Sequence, residues 1–497
     1  MNIQGNLLSN TSTLLTAKKF MRLFLLGTLL TLSTSCFAQT DSIGFREDFS
    51  IFKTALLEAH PALYRFTPEK KFNAVLDSVE QQITSQTTDL QFFQLLSRIE
   101  SLIREGHSGV NPSEYLKKQL HQHKIFPFLV HIKEDKLIVK ESRIGKYATL
   151  KGAEIYAING KKISEIITEL EASTGIKSGF NNTFMLNRLS YDNNFSLAYY
   201  YFIDTVGTFK IDYKQVSEDI CATEIEGVLD APPHINFPKR PVEPNPPIQW
   251  EIDEQQKTAI LKITTFAHWM VSYSKREYFK TFQQFFKTLD EQGIENLIID
   301  VRTNGGGEEM IGAELLTYLV DHEFTVYKHV KAETLDFTFL NKLPDADKPD
   351  FSDKDYVKTD SGYYKVEDKI LEAMYPQKKN HFKGKTYIIA NGGSFSATSI
   401  FLSLAKTHGA GVIIGEESGG TFEDVDGRWR VNFTLPNSGI SVSFPAWSLR
   451  INATGGDRLR GVIPDYAIDK STEDILTEKD VEMEFAYDLI RNGAVEK

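Results

Sequence analysis

Cysteine is scarce in this chain: two residues among 497, Cys36 and Cys221. Cys36 falls in a segment with the character of a cleavable leader. The processed chain therefore keeps Cys221 alone, forms no internal disulfide, and rests on its core. An excess of positive charge is lacking as well. With 67 acidic against 56 basic residues the formal net charge is −11, which argues against nucleic acid or an anionic membrane as partner and leaves small molecules, peptides and proteins. Beyond the first forty residues no apolar run approaches the roughly 20 residues that cross a bilayer, so no integral span is expected in the mature chain. Core-forming residues are plentiful, at 41% hydrophobic. The length exceeds that at which one core keeps growing, and two or three domains are expected.

The leader has three parts. Lys18, Lys19 and Arg22 form a basic flank, Leu23 to Leu32 is apolar, and Cys36-Phe37-Ala38 offers small residues at both ends of a cleavage site. Residues 1–38 are thus expected to be a signal peptide cut after Ala38, with Met21 as an alternative start, giving an exported, periplasmic or envelope-associated protein. Lipid attachment through Cys36 is the weaker alternative, because Ser33 stands where such sites carry an aliphatic residue.

Apolar faces at helical spacing (Phe45, Phe49, Phe52, Leu56, then Phe93, Leu96) predict an N-terminal helical cap over 42–122. Residues 123–180 change to short strand-like runs that lead to Gly152, Ile158-Asn159-Gly160 and a helix from Ser164. That stretch resembles a PDZ domain, a peptide-binding module; the plainer alternative is a β-hairpin on an Asn-Gly turn. Residues 181–248 then supply connecting strands and a linker in which Pro232, Pro233, Pro238, Pro241, Pro244, Pro246 and Pro247 exclude helix and inner strand. From 249 to 490 strands and helices alternate, as in a domain built on a largely parallel sheet. A polar, aromatic-dotted insertion between Lys328 and Lys385 is placed to shape a cleft.

Two segments of this last domain carry chemistry. Strand Thr386–Ala390 runs into Asn391-Gly392-Gly393-Ser394-Phe395-Ser396-Ala397 before an apolar helix, and a serine there sits beside unpaired amides and the positive end of the helix dipole. The alternative is a helix cap. Strand Asn296–Val301 ends in Arg302-Thr303-Asn304-Gly305-Gly306-Gly307, where glycine lets the backbone approach a ligand closely. A phosphate loop is excluded, since no Lys-Ser or Lys-Thr pair follows the glycines. Both loops lie at strand C-termini and can converge, one presenting amides and the other a nucleophile.

The elements Asp300-x-Arg302-x-Asn304-Gly305-Gly306-Gly307, Gly393-Ser394-Phe395-Ser396-Ala397, Gly415-Glu416 and Gly461 to Asp465 resemble, in order, the C-terminal processing (tail-specific) serine proteases and the related tricorn-type core. With the PDZ-like stretch, the resemblance spans about Phe126 to Asp465. It implies an α/β catalytic domain (ClpP/crotonase-like, with a mostly parallel sheet) and an endopeptidase that acts through an acyl-enzyme on Ser396. The implied oxyanion donors are the amides of Ala397 and Gly306, with Gly305 close behind. Substrates would be peptides or proteins, with no metal or organic cofactor. The chain departs from the pattern at the base: the family's lysine position is Thr421, and no lysine occurs from Thr407 to Asp469. Either the protein is an inactive peptide-binding scaffold or its base lies elsewhere. His107, in Arg104-Glu105-Gly106-His107-Ser108-Gly109, resembles the histidine of the tricorn-like branch, and imidazole suits the role; otherwise it only closes the preceding helix. His408 lies about three turns along the serine's own helix, too far away. For orienting partners the resemblance offers Ser108 and, from the C-terminal region, Asp457. Asp300, Arg302 and Glu416 are expected to hold the two loops. An esterase is a third option, disfavoured because Thr398 stands where a nucleophile elbow needs glycine.

Overall fold

A computed structural model describes residues 42–215, 219–229, 246–343, 351, 353–366, 368–377 and 379–492. The expected leader, with Cys36, and the proline-rich linker up to Pro244 lie outside the described residues.

Helices α1 (Ser42–Ala59), α2 (Glu69–Gln82) and α3 (Asp89–Ile103) come first. They bury Phe49, Phe52, Phe72 and Leu96 in a cluster that also takes in Val431, Phe433, Val442 and Phe444. Those four belong to a C-terminal hairpin, Arg430–Thr434 with Ser441–Pro445, so the helical layer is completed by strands that follow it by more than 300 residues. Helix α3 opens on a capping box between Thr88 and Gln91. It closes on Arg104, which takes the left-handed conformation at φ 54 and is held by hydrogen bonds of 3.1 Å from its guanidinium to Gly179 O and Glu171 Oε1. The chain turns away through 105–108 and enters a short strand, Gly109–Asn111, paired antiparallel with Ser441–Ser443. Helix end and strand pairing together fix that turn.

Strands β1 (Phe128–Lys133), β2 (Lys136–Ser142), β3 (Glu154–Ile158), β4 (Thr208–Lys214) and β5 (Cys221–Glu226) form an antiparallel sheet in chain order. Ile158 and Lys161 pair across Asn159 and Gly160, which sit at φ 51 and 80, the two-residue turn that this dipeptide favours. Helix α4 (Ile163–Ser173) follows directly. The sheet draws its last two strands from the stretch expected to connect domains. Phe209, Ile211 and Ile225 are apolar at alternate positions and complete the same core as Val130, Val139 and Ile155.

The C-terminal sheet is six-stranded, in the order β6 (Ile248–Asp253), β7 (Thr258–Ile263), β8 (Asn296–Asp300), β9 (Lys385–Ala390), β10 (Val412–Gly415), β11 (Tyr466–Ala467). All neighbours are parallel except β6 and β7. Its inner strands β8, β9 and β10 carry continuous apolar runs because both faces are covered. Leu297, Ile299 and Ile388 meet the helices Lys275–Gln292, Glu309–Thr317 and Ala397–Thr407 on one side, and Ile298, Ile389 and Ile414 meet the helix Val481–Asn492 on the other. The insertion contributes strands Tyr327–Ala332, Tyr356–Thr359 and Gly362–Lys365 to a second sheet, completed by Ser448–Ile451. No described helix is long and apolar enough to cross a membrane.

Candidate active site

Asp300 pairs in register with Ile389, so β8 and β9 end side by side and their loops leave together. Side chains lace the loops to each other. Ser394 Oγ donates to Val301 O at 2.8 Å and accepts from Asn391 N at 3.1 Å. Asn391 Oδ1 accepts from Thr303 N at 2.9 Å and Gly393 N at 3.0 Å. Asn304 is buried and reaches Ile263 O from Nδ2 at 3.1 Å, while its own carbonyl accepts from Phe395 N at 3.1 Å. Below them Arg302 grips Asp300, Asp480 and Glu482, and Glu416 accepts Gly392 N at 3.3 Å, the holding roles expected of these residues. Ser394 is wholly committed to this lacing. Ser396 is the serine left free to react.

Ser396 opens the helix Ala397–Thr407 at φ 57 and ψ −123, a region that costs a non-glycine residue about 1–3 kcal/mol. Gly306 lies directly against it at φ 96, where an added Cβ would stand 2.7 Å from Ser396 Cβ and 2.8 Å from Ala397 N. Only glycine fits there. The Ala397 amide has no hydrogen-bond acceptor among the described residues. The Gly306 amide differs from expectation: it donates to Asn304 Oδ1 at 3.0 Å, because the side chain of Asn304 curls over its own loop, and this leaves Gly306 as the point of close approach.

His107 Nε2 stands 2.9 Å from Ser396 Oγ. Its ring is stacked on Phe395 at 4.7 Å, and Phe395 on Phe184 at 4.4 Å. Gly106 leaves room for this stack, since a Cβ there would meet Phe395 Cζ at 2.7 Å; a Cβ at Gly427 would likewise strike His107 Nε2 at 2.7 Å. His107 therefore does not close the preceding helix, whose left-handed residue is Arg104. On the far side of the ring, Nδ1 lies 2.7 Å from Glu105 Oε1, and Glu105 Oε2 accepts the His107 amide at 2.9 Å and the Ser108 hydroxyl at 3.3 Å. Burial alone would raise the Glu105 pKa, but His107, then His60, outweigh it and hold the carboxyl below its usual range. As a carboxylate it only accepts, which places the imidazole proton on Nδ1 and leaves Nε2 to accept from Ser396.

The structure does not bring Asp457 to the histidine. Its Oδ1 accepts Leu459 N at 2.9 Å in a surface turn, and Glu105 occupies the place on Nδ1. The signal for Glu105 was present in the sequence as an acid two residues before the histidine, separated by a glycine. Ser108 joins the site through Glu105. Thr421 turns its hydroxyl to Asp424 O, and His408 meets His322 at 2.9 Å instead of the site.

A hydroxyl at a helix start, facing an imidazole whose tautomer a carboxylate fixes, is the equipment of a serine-type hydrolase. Residues 257–468 match the family model of peptidase family S41. Through this region the chain is similar to that family, and it is a serine-type peptidase, the family implying peptide or protein substrates. Among solved structures, its fold is similar to mature CPAF complexed with lactacystin, at 16% identity and a TM-score of 0.62, covering 91% of this chain and 98% of that one. It is similar also to mature CPAF alone, at 17% identity and a TM-score of 0.61, covering 91% and 99%. These likenesses are of fold. No curated protein sequence matches the chain.

Proposed function

We propose that this is an exported serine endopeptidase in which Ser396 attacks the scissile carbonyl while His107 Nε2 takes its proton. Glu105 stabilises the imidazolium that results. The oxyanion is held by the Ala397 amide at the positive end of its helix, and Gly306 keeps the opposing wall close. Collapse of the tetrahedral species breaks the C–N bond, and the leaving amine takes the proton from His107. Water, deprotonated by the same imidazole, then hydrolyses the acyl-Ser396 ester and restores the serine. The chemistry requires no metal or organic cofactor. The observation that carries this reading is the 2.9 Å approach of His107 to Ser396. An idle peptide-binding scaffold would gain nothing from the strained Ser396 backbone or the buried carboxylate behind the ring.

In this reading the chain is a histidine-based member of the tricorn-like branch. Its ClpP/crotonase-like catalytic domain spans 249–490, its cap 42–122, its PDZ-like layer opens at 123, and cleavage after Ala38 exports it. The test is a broad fluorophosphonate probe. Labelling of the mature protein is expected, with loss in Ser396→Ala and a decrease of roughly 10²- to 10⁴-fold in rate in folded His107→Ala. Undiminished labelling of His107→Ala would remove it as the base.

A further inference from the structure

The hydrogen-bonded chain behind His107 does not stop at Glu105. Ser108 Oγ, which donates to Glu105 Oε2, lies 3.2 Å from His60 Nε2. His60 Nδ1 accepts the backbone N–H of Ala62 at 3.2 Å, so the ring carries its hydrogen on Nε2 and donates it to Ser108 Oγ. The Ser108 hydrogen is then directed at Glu105. His60 leaves the end of α1, 3% exposed, with its ring 5.7 Å from that of Phe444. Burial, despite the nearby Glu105, lowers its pKa to about 4, so it stays neutral in this role. The charged groups facing it are Glu105 and Arg65, and Arg65 is itself paired with Asp426 at 2.6 Å and Asp424 at 3.6 Å. Glu105 faces His107, Glu100, Asp426 and Arg430 besides.

We propose that His60 is a positioning residue for the reaction: through Ser108 it fixes the Glu105 carboxylate, which keeps the His107 hydrogen on Nδ1 and Nε2 open to Ser396. The proposal rests on the reading of Ser396 and His107 given above. Three donors, the His107 amide, His107 Nδ1 and Ser108 Oγ, converge on one carboxylate, and His60, just past the end of α1, backs the third. Without His60 the Ser108 hydroxyl is free to rotate. Glu105 then loses a donor, presents more charge to the imidazolium, and holds its proton more tightly.

The experiment compares His60→Gln, whose amide N–H replaces Nε2–H, with His60→Phe, which fills the space and donates nothing. The readout is the second-order fluorophosphonate labelling rate of the mature chain against pH. His60→Gln is expected to stay near the wild-type rate. His60→Phe is expected to label about tenfold to a hundredfold more slowly, the usual scale for an outer partner of an active group, with its acid limb displaced to higher pH. Ser108→Ala breaks the same link without disturbing the packing at Phe444, and should reproduce that displacement even where His60→Phe does not fold. A purely structural role would lower the melting temperature and leave the pH profile superimposable. The proposal is overturned if Ser108→Ala keeps the wild-type profile, or if His60→Gln falls as far as His60→Phe. Wild-type protein that is not labelled, or labelling that survives in Ser396→Ala, would instead overturn the catalytic reading and this proposal with it.

Discussion

Two buried titratable groups behind the site pull stability in opposite directions with pH. Burial lowers the His60 pKa from 6.5 to about 4, so the unfolded chain binds a proton that the folded one refuses; its contribution is complete above 6.5 and is lost as pH falls toward 4. Glu100 on α3 is raised by burial from 4.5 to about 8. Its contribution is complete below 4.5 and is lost as pH rises toward 8. Between 4.5 and 6.5 the two slopes oppose, and above 6.5 only that of Glu100 remains, so stability falls as pH rises toward 8. Glu100→Gln keeps the shape and removes the titration. Its gain in melting temperature over wild type should therefore be larger near pH 8 than near pH 5; a gain that does not vary with pH would refute the assignment.

Elements bring these residues together by what they forbid as much as by what they contact. Gly306 stands where a Cβ would collide with Ser396 Cβ and Ala397 N. Gly306→Ala, also strained at φ 96, should push the two loops apart and reduce labelling by 10²-fold or more, roughly the loss of one oxyanion donor, while global unfolding moves little. Retained labelling would show that the loops tolerate separation. The βα alternation from Thr258 to Gly415 was legible because strands covered on both faces are written as unbroken apolar runs. Ser396 and His107 were legible too, each in a short glycine-flanked motif. Glu105 stood two residues before the histidine, but its approach to the ring was not legible, since it depends on a left-handed helix end at Arg104 that no glycine announces. Asp457 was favoured in its place by position alone, and a glycine-rich surface turn gave it no path to the ring. The antiparallel layer extends to Glu226 because β4 and β5 complete a core that the first three strands leave open on one edge.

Across the whole molecule, His107 stands on a turn between the helical layer and the hairpin Arg430–Pro445, whereas Ser396 stands past the end of a strand of the parallel sheet. Arg65, with Asp426 and Asp424, is a buried tie between those parts. Loosening the helical layer should abolish activity while the sheet is still folded. All four tryptophans, Trp250, Trp269, Trp429 and Trp447, follow residue 248 and report on the C-terminal part. In a urea series, loss of fluorophosphonate labelling is expected at lower urea than the change in tryptophan emission; coincident curves would mean that the layers unfold as one. The separation of 289 residues between His107 and Ser396 also bears on biosynthesis. At the ribosome's usual pace Ser396 is made roughly 15 to 60 s after His107. On the proposed mechanism a chain that ends before Ser396 carries half of the catalytic pair and is expected not to cut its neighbours, competence being expected only once the segment from Ser396 through the hairpin Arg430–Pro445 has emerged and docked.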